Sequence, residues 1–160
     1  MKNITFRPLL PEEYDAFLAY ELAAYANSLC RDGQMTKEKA QAEARAEMDE
    51  LLPKGLQTPQ HFLCALQNDA GETIGLIWYD LLGASKCFID DIVIAPAFRR
   101  QGYATAALKM LESAVGKPHI TLHIFDSNHS GRLLFEKSGY QYLQLEKSQA
   151  GSLYMFKRIG

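Results

Sequence analysis

Just past the middle of this chain runs Ile92-Val93-Ile94-Ala95-Pro96-Ala97-Phe98-Arg99-Arg100-Gln101-Gly102-Tyr103-Ala104-Thr105. A short β-branched apolar run ends at a proline, passes through a basic turn and opens a helix with small residues. Such a turn can direct successive backbone N–H groups and a helix N-terminus at one anion, and the arginines can close around it. Small residues let a phosphate approach the backbone closely. The stretch therefore predicts a phosphate-binding turn, with a tightly packed strand-to-helix corner as the alternative.

The spacing of the small residues narrows the kind of phosphate site. The three-glycine fingerprint of dinucleotide-binding folds is missing, and no Gly-Lys-Ser/Thr of a P-loop follows. What remains is a diphosphate held by a shorter loop that carries arginines.

These residues resemble a known family signature. Arg99-Arg100-Gln101-Gly102-Tyr103-Ala104 is similar to the Arg/Gln-x-x-Gly-x-Gly/Ala signature of the GNAT superfamily of acetyl-CoA-dependent N-acyltransferases. A second family block, a strand followed by an asparagine, a small residue and Tyr-Glu-Lys-x-Gly-Phe/Tyr, is similar to Leu122–Asn128 and Gly131–Tyr140. The resemblance implies a mixed α/β sheet of the GNAT type. Such a sheet is mostly antiparallel, contains one splayed parallel strand pair and is flanked by helices.

The resemblance also implies an activity and a cofactor site. The expected reaction moves an acetyl group from acetyl-CoA, the co-substrate, to a primary amine of a small molecule, peptide or protein, by direct attack in a ternary complex. In this family pantetheine lies in the splay like an added strand, and its amides pair with exposed backbone. The residues expected to contact coenzyme A are Ile92, Val93, Ile94, Arg99, Arg100, Gln101, Gly102, Tyr103, Ala104, Thr105, Asn128, Gly131 and Phe135. For Asn128 the alternative is a plain helix-start residue, since asparagine favours that position.

Whole-chain properties exclude several other classes of protein. With 160 residues and 48% hydrophobic residues, the chain is expected to form one globular domain. The resemblance implies that this is a single N-acetyltransferase domain over residues 1–160. A net charge of −2 gives no basic surface for nucleic acid, and no apolar run approaches the ~20 residues of a membrane span. The N-terminus lacks the apolar segment of a signal peptide. Three widely spaced cysteines predict buried thiols in a reducing cytoplasm and no metal site.

Hydrophobic periodicity predicts the order of helices and strands. Turn residues at Asn68–Gly71 predict a hairpin, Thr36 is expected to cap the second helix, and Asp32-Gly33 is expected to end the first. A closing hairpin at the C-terminal end could pair edges in a homodimer. The predicted strands are Ile4–Arg7, His61–Gln67, Thr73–Leu82, Cys87–Ile94, Ile120–Phe125, Tyr140–Leu145 and Leu153–Arg158, and the predicted helices are Glu12–Leu29, the segment from Thr36 to Leu52, the segment from Ala104 to Val115, and Ser130–Ser138.

Acyl transfer to an amine needs a group that accepts the proton of the ammonium form. Strand period two puts Asp90 on the face shared by Ile92 and Ile94, with Asp91 on the other face. Two adjacent acids in an apolar strand are costly to bury without a purpose, so Asp90 is a candidate base. The alternative is a strand end where both acids are simply in water.

Two further groups are candidates for the catalytic site. His123 lies in the strand near the expected splay, and the ordinary pKa of histidine suits proton transfer. Glu21 falls on the apolar stripe of the first helix and could contact a cationic acceptor. The structural alternatives are a core histidine and a stripe-edge glutamate paired with a lysine or arginine.

The chain departs from the family pattern at Phe135, where members commonly carry a tyrosine that protonates the leaving thiolate. Ser130, Tyr140 or a water could donate instead, or the thiolate could leave unprotonated, because a thiol is a good leaving group. A third possibility is that the chain binds acyl-CoA but has lost catalysis, which makes it a non-catalytic acyl-CoA-binding or sensing module. A plain nucleotide-binding α/β domain is the more distant alternative.

Overall fold

A computed structural model of the chain describes residues 2–31, 35–143 and 152–160. The chain divides into two compact units, one of Leu9–Pro59 and one that combines Met1–Pro8 with Gln60–Gly160. The expectation of a single domain over residues 1–160 stays a prediction.

The unit of Leu9–Pro59 is a pair of helices, α1 (Pro11–Cys30) and α2 (Lys37–Leu51). They pack through small side chains, because Ala26, Ala40 and Ala44 form a buried cluster that lets the backbones come close. The hydroxyl of Thr36 accepts a hydrogen bond from the Lys39 N–H at 3.3 Å, which confirms the predicted cap of α2. The predicted end of the first helix at Asp32-Gly33 lies outside the described residues.

The other unit is a seven-stranded sheet with two helices, as far as the chain is described. Its strands follow the order β1-β2-β3-β4-β5-β7-β6, and only β4 and β5 run parallel to each other. This arrangement confirms the mixed sheet with one parallel pair. The elements are β1 (Thr5–Pro8), β2 (His61–Gln67), β3 (Thr73–Asp80), β4 (Lys86–Ile94), α3 (Tyr103–Ala114), β5 (His119–Phe125), α4 (His129–Lys137), β6 (Gln141–Leu143) and β7 (Ser152–Arg158).

The hairpin between β2 and β3 follows from its turn residues. The Asn68 side-chain oxygen accepts hydrogen bonds from the backbone N–H groups of Ala70 and Glu72, at 3.1 and 3.0 Å. This Asx-type turn confirms the hairpin predicted at Asn68–Gly71. At the other end of the chain β6 and β7 pair antiparallel, as expected of the closing hairpin, although residues 144–151 lie outside the described part.

One hydrophobic core lies against the sheet in this unit. The apolar stripe of α3 is fully buried, and α4 contributes Phe135. Burial raises the pKa of Cys64 to about 11 and that of Cys87 to about 12. Both groups are therefore neutral thiols at neutral pH. All three cysteines are free, but Cys30 is only partly buried, so the prediction of buried thiols is confirmed for Cys64 and Cys87 and wrong for Cys30. None of the described helices is long and apolar enough to cross a membrane.

Candidate active site

The parallel strands β4 and β5 pair over only part of their length. Pairing begins at Lys86↔His119 and ends at Ile89↔Leu122. Beyond that point β4 stays paired with β3 as far as Ile94, while β5 stays paired with β7. The facing edges of the two strands are therefore separate over residues 90–94 and 123–125. This confirms the splay expected of the GNAT fold and leaves backbone groups that an extended ligand can meet.

The corner after β4 presents a helix end without a cap. Gly102 adopts φ +87° and precedes α3, whose first backbone bond runs from Ala106 N–H to the Gly102 carbonyl at 3.1 Å. The N–H groups of Tyr103, Ala104 and Thr105 thus have no partner within the helix, and no described side chain caps them. A Cβ at Gly102 would meet only Lys2 Cγ at 3.9 Å. Backbone conformation, rather than crowding, is what calls for glycine there.

The basic side chains of this corner differ in their roles. Arg99 Nε donates to the Ile94 carbonyl at 2.8 Å, which ties the guanidinium to the end of β4 and leaves its terminal amino groups for an anion. Arg100 adopts φ +62°, a conformation that is strained for a residue with a side chain. The Gln101 amide donates to the Ala97 carbonyl at 3.2 Å. The corner therefore offers main-chain amides and two guanidinium groups.

Three of the predicted cofactor residues have structural duties in addition. The Tyr103 ring is buried and packs edge-on against Phe98. The Asn128 side chain accepts a hydrogen bond from the Gly131 N–H at 3.0 Å, so it caps α4 as the alternative interpretation held. Phe135 is 5% exposed, and its ring meets that of Tyr140 at 5.3 Å. The contacts of these residues with coenzyme A stay predictions.

Tyr140, one of the alternative proton donors, already donates its hydroxyl proton to a hydrogen bond with another residue. Its hydroxyl donates to Glu112 Oε2 on α3 at 3.1 Å. Burial first, and the negative charge of Glu112 second, raise the pKa of Tyr140 far above its usual value. A buried phenol that is already bonded to a carboxylate is a poor acid for a thiolate in the splay. Ser130, in contrast, is exposed in the first turn of α4.

The predicted face of Asp90 is wrong, because β4 carries a bulge. Tyr79 pairs with Ile89 and Trp78 pairs with Asp91, so Asp90 is one extra residue between two successive partners on β3. An extra residue reverses the alternation of everything that follows it.

The bulge separates Asp90 from the two isoleucines that follow it. Ile92 and Ile94 pair with Ile77 and Gly75, which share a face of β3 with Tyr79, the partner of Ile89. Asp90 instead has a carboxylate oxygen within 4.8 Å of one on Asp80, at the opposite face. Its candidacy as a base therefore moves to that face of the sheet.

A cluster that the sequence interpretation missed surrounds Asp90. His61 and Asp80 are paired directly across β2 and β3, and single ligand atoms of His61, Asp80 and Asp90 lie within 4.8 Å of one another. These three residues, hereafter the His61 cluster, are the one group in the described ranges that could hold a cation by side chains of this kind. The sequence carried no signal for this cluster, because an irregularity at Leu66/Gln67 shifts the β2–β3 register away from the one that the Asn68 turn sets, and only the shifted register brings His61 opposite Asp80.

His61 is 8% exposed, and its protonation is set by a neighbour. Trp78 Nε1 donates to His61 Nδ1 at 3.0 Å. Burial lowers the pKa of His61, and the nearby Asp80 opposes that shift only in part. Because indole nitrogen can only donate, Nδ1 is the acceptor and the proton of the neutral ring is on Nε2.

His123 and Glu21 stay candidates with different surroundings. His123 is the first residue of β5 beyond the paired segment, and its ring lies 5.1 Å from that of Tyr154 and 5.3 Å from that of Phe125. Burial lowers the pKa of His123, so it is a neutral imidazole at the splay. Glu21 is buried on α1, in the unit of Leu9–Pro59. A catalytic role for either residue stays a prediction.

Comparison with known proteins decides the family. Residues 22–140 match the sequence model of the acetyltransferase (GNAT) family. The chain belongs to the GNAT acetyltransferases. The mixed sheet with its splayed parallel pair is therefore the fold of that family.

Individual relatives agree with this assignment. The uncharacterised N-acetyltransferase YycN of Bacillus subtilis (strain 168) is 31% identical over 145 residues, which cover 87% of this chain and 93% of YycN. The crystal structure of YycN matches with a TM-score of 0.81 over 92% of this chain and 98% of that one. The spermidine N-acetyltransferase of Vibrio cholerae, solved in complex with CoA and spermine, shares the fold at 16% identity and a TM-score of 0.67, covering 98% of this chain and 95% of its own. This protein is thus an acyltransferase of the GNAT type.

Proposed function

We propose that this acyltransferase transfers the acetyl group of acetyl-CoA to a primary amine, by direct attack within a ternary complex. The observation that carries the proposal is the meeting of two features at the end of β4. The open edge of the strand ends at Ile94, and the uncapped amides of α3 begin at Tyr103, with the corner between them. One ligand that has amides at one end and a diphosphate at the other fits both features, and the GNAT neighbour that binds CoA supports that choice.

The chain supplies binding groups of two kinds for such a ligand. The N–H groups of Tyr103, Ala104 and Thr105, with the Arg99 and Arg100 guanidinium groups, would hold the diphosphate. The free edge of β4 over Asp90–Ile94 would pair with pantetheine amides, which requires no special side chain. Backbone N–H groups of the same edge would donate to the carbonyl oxygen that gains charge during attack.

The proton of the attacking amine needs an acceptor beside the splay. Acetyl-CoA supplies the thioester carbon, whose bond to sulfur breaks as the new bond to nitrogen forms. Asp90 is the first β4 residue beyond the last β4–β5 pair, so its carboxylate is close to the mouth of the splay. We assign it the role of general base. The neutral imidazole of His123 on the facing strand is the second candidate for the same proton.

The alternative function is a non-catalytic module that binds or senses an acyl-CoA. The observation that favours it is the lack of an acid near the leaving group, since Phe135 at the family's acid position has no proton to give and the alternative donor Tyr140 is bonded to Glu112. A thiolate with an ordinary thiol pKa can leave without an acid, so the enzyme remains the preferred reading.

Binding is tested by calorimetry with CoA, desulfo-CoA and ATP on the wild type and on two glycine variants. Gly102→Leu places a side chain at φ +87° beside the uncapped amides, whereas Gly116→Leu does so at φ +64° just beyond the other end of α3. Both sites are open and both glycines have positive φ, so the two variants introduce the same kind of conformational strain without a steric clash. We expect Gly102→Leu to weaken CoA about tenfold or more, equivalent to about 1.4 kcal/mol, and Gly116→Leu to bind as the wild type does.

Turnover is tested by following free thiol with acetyl-CoA and a panel of primary amines. Release of thiol that depends on the amine supports the enzyme, and its loss in Asp90→Asn with unchanged CoA affinity supports the base. Tight CoA binding with no thiol release across the panel favours the sensing module. Absence of any heat with CoA would refute both functions. A cytoplasmic location and a homodimer through the exposed edge of β6 stay predictions.

A further inference from the structure

Asp80 is an unusual residue for the inside of a sheet. It is 6% exposed at the end of β3, and its Oδ1 accepts a hydrogen bond from the Leu82 N–H at 3.3 Å. Within the described ranges no lysine or arginine forms an ion pair with it. Burying a carboxylate without a cation costs several kcal/mol, on the order of what a whole domain gains on folding. Such a group calls for a positive ligand.

Its neighbours point to the same kind of ligand. Asp90 brings a second carboxylate within 4.8 Å, and a ring nitrogen of the buried His61 lies within the same distance of an oxygen of each carboxylate. No hydrogen bond to His61 Nε2 is formed by a described residue, while Trp78 occupies Nδ1. The His61 cluster therefore presents two carboxylates and one N–H group that can hold a carboxylate in place.

The Trp78 hydrogen bond distinguishes between the cations that could bind. A histidine ligates a metal through a bare ring nitrogen and usually donates its other N–H to an acceptor. Here the bare nitrogen is the one that Trp78 covers, and the nitrogen that remains carries the proton. Among the described residues the cluster then offers a metal two carboxylates, whereas an alkylammonium group needs no more than these two acceptors.

The location of the cluster matches the reaction. Asp90 lies one residue beyond the last pair of β4 with β5, and the bulge turns it away from Ile92 and Ile94 toward Asp80. A cation bound there is beside the splay, on the sheet face opposite to the one that Ile92 and Ile94 share. An amine bound there can therefore approach the thioester carbon from a different side than the pantetheine part of acetyl-CoA.

We propose that the His61 cluster is the cation subsite of the acceptor, which binds as an alkylammonium ion between Asp80 and Asp90. This inference rests on the proposed acetyl transfer and names its substrate class, a primary amine that is charged at neutral pH. Asp90 takes one proton from the ammonium, and the freed lone pair forms the bond to the acyl carbon as the carbon–sulfur bond breaks. The second nitrogen proton leaves with the thiolate or to water. His61 acts as a positioning residue.

Cation binding is measured without CoA, so its failure and that of the proposed function are separable. The probe is n-butylammonium chloride, and the readout is saturable stabilisation against thermal unfolding at constant ionic strength. The reference solutes are sodium chloride, which supplies a monovalent cation without the alkyl chain, and 1-butanol, which has the alkyl chain without the charge. The variants are Asp80→Asn and Asp90→Asn, and the control is Asp69→Asn, which removes an exposed carboxylate of the β2–β3 turn.

We expect n-butylammonium to stabilise the wild type and Asp69→Asn alike and to exceed both reference solutes. In Asp80→Asn and in Asp90→Asn the half-saturating concentration should rise about tenfold, the loss of one charge-assisted hydrogen bond. Asp90→Asn alone decides the matter if Asp80→Asn does not fold. Equal stabilisation of variants and wild type, an equal effect of 1-butanol, or saturation by Mg²⁺ or Mn²⁺ at lower concentration would overturn the proposal.

Discussion

Gly75→Ala tests whether the close pairing of β3 and β4 holds in place the part of β4 that no longer pairs with β5. A Cβ at Gly75 would lie 2.2 Å from the Val93 carbonyl oxygen and 3.1 Å from Ile94 Cα, both of them backbone atoms. Carbon and oxygen do not approach closer than about 3 Å, so the strands must separate by several tenths of an ångström at least. Gly75 pairs with Ile94, the last residue of β4.

The cost of this change follows from the contacts that it strains. Overpacking against fixed backbone costs about 1–3 kcal/mol. Weakening the adjacent hydrogen bond, from Ala95 N–H to the Ile74 carbonyl at 2.9 Å, adds about 1 kcal/mol. We therefore expect a loss of about 2–4 kcal/mol in the free energy of unfolding, and a weaker affinity for CoA because the edge that faces the splay moves.

Urea unfolding and calorimetry with CoA measure both effects. Gly83→Ala is the matched control, because its Cβ would meet only the flexible Lys86 side chain, at 2.6 Å from Cγ. That variant should unfold within about 0.5 kcal/mol of the wild type and bind CoA normally. If the two alanine variants are equally stable, the reasoning from the β3–β4 approach is refuted.

Two further predictions concern charge. Lys157→Met removes the partner of the half-buried Glu112, 3.0 Å away, and should cost about 1–3 kcal/mol in urea unfolding. Arg45→Met, which breaks an exposed helix pair, should cost about 0–0.5 kcal/mol, and equal costs would contradict the argument from burial. The pKa values of His61 and His123 are lower in the folded protein than in the unfolded chain, so as the pH falls these histidines are protonated in the unfolded chain before they are in the folded protein. Their contribution to the free energy of unfolding is therefore complete above pH ~6.5 and is lost as the pH drops below that value. His61→Gln should flatten that dependence in unfolding measured at several pH values, and an unchanged slope would count against it.

The sequence was sufficient for those features that depend on local patterns. The proline after β4, the glycine before α3 and the Asn68 turn act within a few residues, so the end of β4, the start of α3 and the β2–β3 hairpin were predictable. The splay of β4 and β5 was expected from the family resemblance, and phosphate binding at the corner stays a prediction. Asn128 was named with both of its interpretations, and the cap is the one observed.

The bulge at Asp90 was missed because Asp90 and Asp91 are both polar. The alternation of apolar and polar residues therefore does not show which face of the sheet each of them occupies. Ile89 and Ile92 are an odd number of residues apart and still share a face, which only pairing with β3 reveals. The His61 cluster was missed for a related reason, since Trp78 and His61 are 17 residues apart and meet only across the paired strands.

The position of β7 between β5 and β6 imposes an order on assembly. β6 precedes β7 along the chain, yet its partner in the sheet is β7 alone. During synthesis β6 must therefore wait until Ser152–Arg158 has left the ribosome and joined β5. Until then the outer edge of β5 is open to strands of other molecules. Removal of the last nine residues would make that vulnerable stage permanent, because it deletes an interior strand rather than a tail.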